Sequence, residues 1–353
     1  MASGRVGGGS GHPQAKDKNR GRVRRMQAFE ENSGKDVEEE SRGNVFAFAG
    51  MGLLLLLTHV FALLLAAPFE TAGMKAFENP ESVFNAVFFF ALVLCFTAAI
   101  LVVLKFGGMK FVHLFMLFAV AATIFWVLSA LVPIILNIFH VAFVPALDIF
   151  PLIVALALTA LLYFRPEWYV IDAVGLLVAS GVASIFGISL QVLPVIVLLV
   201  ILAVYDAVSV YGTKHMVSLA SSVVEMRVPL LFVLPRRRKF SLLTAKGRAG
   251  RAERAEKAEK AEKVRQEGGK EQQELGSGEA FFMGLGDAII PAILAVSAYR
   301  YASFASAIGS VAGTLAGYAL LCTFAGRGKP HAGLPFLNSG AILGFLLGVL
   351  LGS

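Results

Sequence analysis

Apolar residues along this chain fall into long runs that short polar segments separate. Each run approaches the roughly 20 residues that an α-helix needs to cross a hydrocarbon core of about 30 Å. The runs lie at 45–67, 84–104, 111–131, 146–164, 169–187, 192–212, 281–299, 303–325 and 334–351. The pattern therefore predicts an all-α polytopic membrane protein with nine transmembrane helices.

Two polar segments lie outside these runs. Residues 1–44 are rich in Gly, Lys, Arg and Glu and have almost no apolar periodicity, which predicts a disordered, basic cytoplasmic tail and no nucleic-acid partner. Residues 213–280 contain the basic cluster 236–239 and an Ala-Glu-Lys repeat, which predict a charged cytoplasmic loop. The predicted organisation is a tail (1–44), helices one to six (45–212), a charged loop (213–280) and helices seven to nine (281–353).

Composition places the chain in the same class. Its 353 residues are 57% hydrophobic and only 16% charged, which excludes an ordinary soluble domain. The two cysteines, Cys95 and Cys322, both fall inside apolar runs, so the sequence supports neither a disulfide framework nor a thiolate metal site. His59 and His113 are single and lack ligand spacing, and there is no His-Glu-x-x-His zinc motif. We therefore expect no metal site.

The distribution of Lys and Arg predicts the orientation, because these residues collect on the cytoplasmic side. With the N-terminus inside, 29 of them lie on the cytoplasmic side and two, Lys75 and Arg300, lie outside. Long segments contribute little to this effect. When the charged loop and the distal tail are left out, the ratio of cytoplasmic to external Lys and Arg residues is still eight to two. We expect a multi-pass protein of the cell membrane with a cytoplasmic N-terminus and an external C-terminus.

Two aspartates, Asp206 and Asp287, lie in the sixth and seventh predicted spans. Each is eight residues from the first charge at the cytoplasmic end of its span, Lys214 in one case and Glu279 in the other. If both segments are helical, each carboxylate lies about 12 Å from the same membrane face, at about 1.5 Å per residue. An ionisable group within a span costs roughly 3 kcal/mol or more, so both are candidates for function.

Three functions fit two carboxylates at one depth. A pair that shares one proton could activate a water molecule for peptide hydrolysis. The same acids could instead form a cation or proton conduction pathway. They could also be buried acids that only fix the register of two helices. Spacing alone leaves hydrolysis and conduction open.

The eighth and ninth predicted spans carry glycine at every fourth position. Gly309, Gly313 and Gly317 form one ridge, and a second ridge runs from Gly340 to Gly352. Small residues at this spacing let helix backbones approach closely in lipid. We interpret both ridges as helix-packing surfaces, with homo-oligomerisation as the second interpretation.

The residues that flank the two aspartates carry a family resemblance. Tyr205-Asp206 and Gly284-Leu285-Gly286-Asp287 resemble the two active-site motifs of the presenilin and signal-peptide-peptidase family of intramembrane aspartyl proteases. The segment 334–337, Leu-Pro-Phe-Leu, resembles that family's Pro-Ala-Leu motif. The likeness covers roughly residues 45–351, and the short loops most resemble stand-alone archaeal presenilin homologues.

This resemblance implies a presenilin-like bundle that cleaves single-span membrane proteins within the bilayer, without a metal or organic cofactor. Its partners would be the lipid bilayer and the transmembrane helices of its substrates. Asp206 and Asp287 would be the catalytic pair. The residues that would frame the pair or bind substrate are Tyr205, Gly284, Leu285, Gly286, Pro335 and Leu337.

Three further points qualify the resemblance. Phe336 stands where the family has a small alanine, whose size would permit close backbone approach to the pair. Asp172 lies near the cytoplasmic start of the fifth span and is interpreted as part of an interfacial anchor region, not of the site. Prepilin and preflagellin peptidases share Gly-x-Gly-Asp, but they resemble a version followed by lysine, whereas Ala288 follows here. That family is the alternative among enzymes.

Overall fold

The computed structural model describes residues 45–106, 108–138, 140, 149–210, 231–235, 280–325 and 332–352. Within them lie nine helices, which confirms the predicted all-α class and helix number for this part of the chain. They are α1 (Val45–Thr71), α2 (Phe84–Lys105), α3 (Met109–Ile138), α4 (Phe150–Phe164), α5 (Trp168–Ser189), α6 (Val192–Val208), α7 (Leu285–Tyr301), α8 (Phe304–Ala325) and α9 (Leu334–Gly352). The predicted tail and most of the predicted charged loop lie outside the described residues.

Six of these helices are long and apolar enough to cross a membrane. The other three are α4, with 15 residues, and α6 and α7, with 17 residues each. Seventeen residues lie at the lower end of the range that spans a hydrocarbon core. The two helices that carry Asp206 and Asp287 are therefore among the shortest of the bundle.

The third and fourth helices each contain a proline near the end at which they divide. Helix α3 continues through Pro133 to Ile138, beyond the predicted end at residue 131. Helix α4 begins at Phe150 with Pro151 in its first turn, where a missing amide hydrogen costs no helical hydrogen bond. The long apolar tract therefore forms two helices, as expected.

A two-stranded antiparallel sheet joins the N-terminal and C-terminal parts of the bundle. Strand β1 (Leu231–Pro235) pairs with strand β2 (Ala280–Gly284), and Val233 lies opposite Phe282. The sequence did not predict either strand. Strand β1 falls inside the predicted charged loop, yet four of its five residues are buried. Strand β2 occupies the start of the predicted seventh span, so the seventh helix begins at Leu285 and not at residue 281.

Helix α7 lies at the centre of the bundle, where it contacts α5, α6, α8 and α9. Almost every residue from Ala288 to Ala298 is buried. Small and large side chains are buried alike, since Ala292, Ile293 and Leu294 all have 0% exposure. At the end remote from Asp287, the Ser297 hydroxyl donates to the Leu190 carbonyl oxygen at 2.7 Å. Asp287 is therefore carried by a firmly packed helix.

The glycine ridges of α8 and α9 face each other. A Cβ atom on Gly313 would overlap the carbonyl oxygen of Gly340, and a Cβ atom on Gly344 would lie 2.8 Å from the Gly313 Cα atom. The two backbones are thus in direct contact, as the small-residue spacing predicted. The ridges serve packing within one chain.

Candidate active site

Asp206 and Asp287 lie at the ends of two neighbouring helices. Asp206 is in the last turn of α6, and Asp287 is the third residue of α7. Helix α7 begins abruptly because Gly284 ends strand β2 in an extended conformation, with φ −62° and ψ 138°. Asp287 thus lies in the first turn of a helix, where the helix dipole favours a negative charge.

One peptide unit, Gly333–Leu334, contacts both carboxylates. The Leu334 amide donates a hydrogen bond to Asp206 Oδ2 at 3.1 Å. A Cβ atom on Gly333 would lie 3.3 Å from Asp287 Oδ2, so Gly333 lies next to that carboxylate without a side chain between them. The two side chains are also close enough to interact electrostatically. The structure therefore brings the two predicted aspartates together at the start of α9.

The two glycines of the Gly-x-Gly-Asp segment have different surroundings. A Cβ atom on Gly284 would lie 3.6 Å from Asp287 Oδ2. A Cβ atom on Gly286 would meet nothing within 4 Å. Between them Leu285 is buried at 4% exposure. Gly284 therefore lies next to the carboxylate, whereas Gly286 faces open space.

A cavity of about 200 Å³ reaches Asp287, which is enough for several water molecules. Strand β2 forms one wall, helix α8 a second, and the Gly333 region a third. The lining residues are Phe281, Phe282, Met283, Gly284, Asp287, Tyr318, Leu321, Cys322, Gly333 and Leu337. Water can thus reach the Asp287 carboxylate.

The third motif forms an ordinary helix start beside the pair. Pro335 is the second residue of α9, and the amides of Phe336 and Leu337 both donate to the Gly333 carbonyl oxygen at 3.2 Å. Leu337 is fully buried. The Phe336 ring lies 5.7 Å from the ring of Phe324 in α8. The Phe336 side chain, which stands where the family has alanine, is therefore packed against α8.

Tyr205 packs at the surface of the bundle. Its ring meets that of Phe90 in α2 edge-on, with 5.7 Å between centroids, and 39% of the residue is exposed. The two rings line an apolar groove together with Val200, Ile201, Val204 and Val208. These contacts favour packing over a hydrogen bond to the carboxylates as the role of Tyr205.

Asp172 lies beneath strand β1. It is buried at 6% exposure in the first turns of α5. Its Oδ1 atom accepts a hydrogen bond of 2.7 Å from the Val233 amide of strand β1. This contact with β1 was not predicted from the sequence, and the interfacial position of Asp172 stays a prediction.

Sequence reasoning missed two components of the site. Gly333, which directly precedes the third motif, was not singled out, although a glycine before Leu-Pro permits close approach of another chain. The apolar run Leu230–Leu234 within the charged loop was the available signal for β1.

Among the described residues, no group of three His, Cys, Asp or Glu side chains could hold a metal ion.

Comparisons with known proteins give matches over most of the chain. The family model "Signal-peptide peptidase, presenilin aspartyl protease" matches residues 51–353. The chain is also similar to the solved structure of a presenilin family intramembrane aspartate protease in space group C222, at 38% identity and a TM-score of 0.60, covering 86% of this chain and 99% of that one. For the P2 form the identity is 39%, the TM-score 0.59 and the coverage 86% and 97%. Comparison with curated proteins gives no match.

Proposed function

Because the chain belongs to the signal-peptide peptidase and presenilin family of aspartyl proteases, we propose that Asp206 and Asp287 are its catalytic pair and that it cleaves single-span membrane proteins within the bilayer. Family membership makes the chain a multi-pass intramembrane aspartyl protease, as the sequence motifs predicted. The observation that carries the proposal is the contact of both carboxylates with one peptide unit, Gly333–Leu334. The orientation of the termini stays a prediction.

The proposed chemistry follows from the proximity of the two carboxylates. Like charges this close do not both ionise, so the pair holds one shared proton. The ionised carboxylate takes a proton from water as the water oxygen attacks the scissile carbonyl carbon. The protonated carboxylate donates a hydrogen bond to the carbonyl oxygen. When the tetrahedral intermediate collapses, the C–N bond breaks and the protonated carboxylate gives its proton to the leaving nitrogen, so that the pair keeps the one proton taken from water.

The outer edge of strand β2 is where we place the substrate backbone. The Val233 amide bonds to Asp172, so it points away from β2. In an antiparallel ladder, the two residues of a pair that is not hydrogen-bonded both direct their amide and carbonyl groups away from the partner strand. That residue is Phe282, and Gly284 follows two positions later on the same edge, beside Asp287. An extended substrate segment added to this edge would run past the Asp287 carboxylate.

Removing one outward amide tests this placement. We expect Phe282→Pro to lower kcat/KM for a reporter substrate about three- to tenfold relative to Phe282→Ala, because one net hydrogen bond contributes roughly 0.5–1.5 kcal/mol. Proline is tolerated where an edge amide faces outward, so the pairing with β1 should persist. Phe282→Ala controls for the lost ring. Equal kcat/KM values in the two variants would exclude substrate pairing at this edge.

Cleavage of a single-span reporter by the purified protein in lipid tests the proposed function itself. We expect two products from a cut inside the membrane-spanning segment, identified by mass spectrometry. The alternative function, cation or proton conduction by the same aspartates, predicts ion flux into liposomes instead. No cleavage, together with a flux that needs both aspartates, would overturn the proposal and favour conduction.

A further inference from the structure

Asp172 is a buried carboxylate for which the proposed chemistry has no role. It lies on α5 at 6% exposure, where an acidic side chain is costly without a partner. Its partner is the main-chain amide of Val233, at 2.7 Å from Oδ1. That amide belongs to strand β1, in a segment 61 residues further along the chain. The bond therefore joins helix α5 to strand β1, whose partner β2 lines the cavity at Asp287.

The same face of α5 packs against the sheet and the start of α7. Gly175 follows Asp172 by one helical turn. A Cβ atom at Gly175 would lie 3.3 Å from Phe232 Cε1 and 3.2 Å from Leu285 Cδ1. Phe232 belongs to β1 and is fully buried, and Leu285 opens α7 two residues before Asp287. Strand β1 and the Asp287 segment therefore pack on one surface of α5.

We propose that Asp172 is a positioning residue for the catalytic pair. It fixes the main chain of β1 against α5, β1 fixes β2 through the antiparallel ladder, and β2 continues through Gly284 into Asp287. This inference rests on the proposed function, because it assumes that Asp287 is catalytic. Loss of the bond lets the sheet shift, which displaces the Asp287 carboxylate without removing any group that touches substrate.

Three substitutions separate hydrogen-bond acceptance from other roles of Asp172. Asp172→Asn keeps an acceptor oxygen at nearly the same place, whereas Asp172→Leu keeps the volume and removes the acceptor. Ser180→Ala is the matched control. Ser180 is also a buried polar residue of α5, but its bonds to described residues stay within its own helix, at the Leu176 and Leu177 carbonyl oxygens. Its loss leaves the sheet untouched.

The test measures kcat and KM for a single-span reporter in lipid, together with deuterium uptake by the peptide that contains residues 231–235. For Asp172→Leu we expect kcat to fall about tenfold with KM changed less than about threefold, since small misplacements of reacting groups reduce rates strongly. Deuterium uptake at 231–235 should rise in the same variant. Asp172→Asn and Ser180→Ala should resemble wild type in both measurements.

Val233→Pro removes the amide hydrogen that Val233 donates to Asp172. This variant tests the same bond if Asp172→Leu does not fold. The Val233 amide lies outside the ladder, so proline leaves the pairing with β2 in place. We expect the same fall in kcat, and no further fall when the two substitutions are combined, as for two partners of one interaction.

Several results would overturn the inference. Faster exchange at 231–235 with unchanged kcat would mean that the sheet does not position the pair. Asp172→Asn as slow as Asp172→Leu would exclude hydrogen-bond acceptance as the cause. An equal loss in Ser180→Ala would indicate a general disturbance of α5. Wild-type protein that does not cleave the reporter would overturn the proposed function, and this inference with it.

Discussion

Replacing either aspartate with asparagine should lower kcat about 10³-fold or more. Asparagine keeps the shape of the side chain but cannot share or transfer the proton, and general acid–base catalysis contributes roughly 10²- to 10⁴-fold. Because the two carboxylates act as one unit, the double variant Asp206→Asn/Asp287→Asn should be no slower than either single variant. The measurement is the initial rate of reporter cleavage in lipid, with thermal unfolding of each variant as the control for folding.

The wild-type pH profile adds an independent test of the shared proton. The rate should fall at low pH, where both carboxyls are protonated and no base remains. It should also fall at high pH, where both are ionised and no acid remains. A bell-shaped profile therefore supports a pair that titrates as a unit. A single variant that keeps more than about a tenth of the wild-type rate would contradict the catalytic pair.

Adding one methyl group to the contact between α8 and α9 should have the largest effect on stability. We expect Gly313→Ala and Gly344→Ala each to cost about 1–3 kcal/mol, as is usual when atoms are forced into a close-packed interface. The neighbouring atoms here belong to the facing backbone, which cannot move aside as a side chain can. The measurement is thermal unfolding in detergent or lipid, which should show a lower Tm for both variants.

Ala316→Leu is the matched control for these two variants. It adds more atoms to the same helix, but Ala316 is exposed on the outer side of α8. Its Tm should stay close to that of wild type. Because α9 carries the Gly333–Leu334 peptide, the glycine variants should also cleave more slowly when folded. A wild-type Tm for Gly313→Ala would contradict direct backbone contact.

Apolar run length and local motifs were enough to predict the helices and the proximity of Asp206 to Asp287. The nine apolar runs correspond to the nine helices of the described residues, because each run must satisfy its own backbone hydrogen bonds in lipid. The pairing of Asp206 with Asp287 was predicted from their equal distances to flanking charges, although that estimate assumed a helix over residues 281–284. Those residues are a strand, in which each residue advances about 3.3 Å and not 1.5 Å.

The contacts between distant segments could not be predicted in the same way. Strand β1 is a five-residue apolar segment among charged residues, and its burial depends on α5 and β2, which lie far away in sequence. The contact of Asp172 with β1 was not predicted, because its neighbours Trp168 and Tyr169 indicate only a membrane interface. Gly333 lies next to the carboxylates only in the folded bundle, so its position in the sequence did not indicate this contact. Each of these depends on tertiary packing, which local patterns do not encode.

The uneven burial of α6 has a consequence for motion. Its buried residues all lie between Pro194 and Leu202, whereas none from Ala203 to Val208 is buried. Asp206 is therefore carried on a lightly packed helix end, while Asp287 is held by the packed centre of the bundle. We therefore expect Asp206 to be the more mobile of the two carboxylates. A displacement of the last turns of α6 would break the bond between Asp206 and the Leu334 amide and separate the pair.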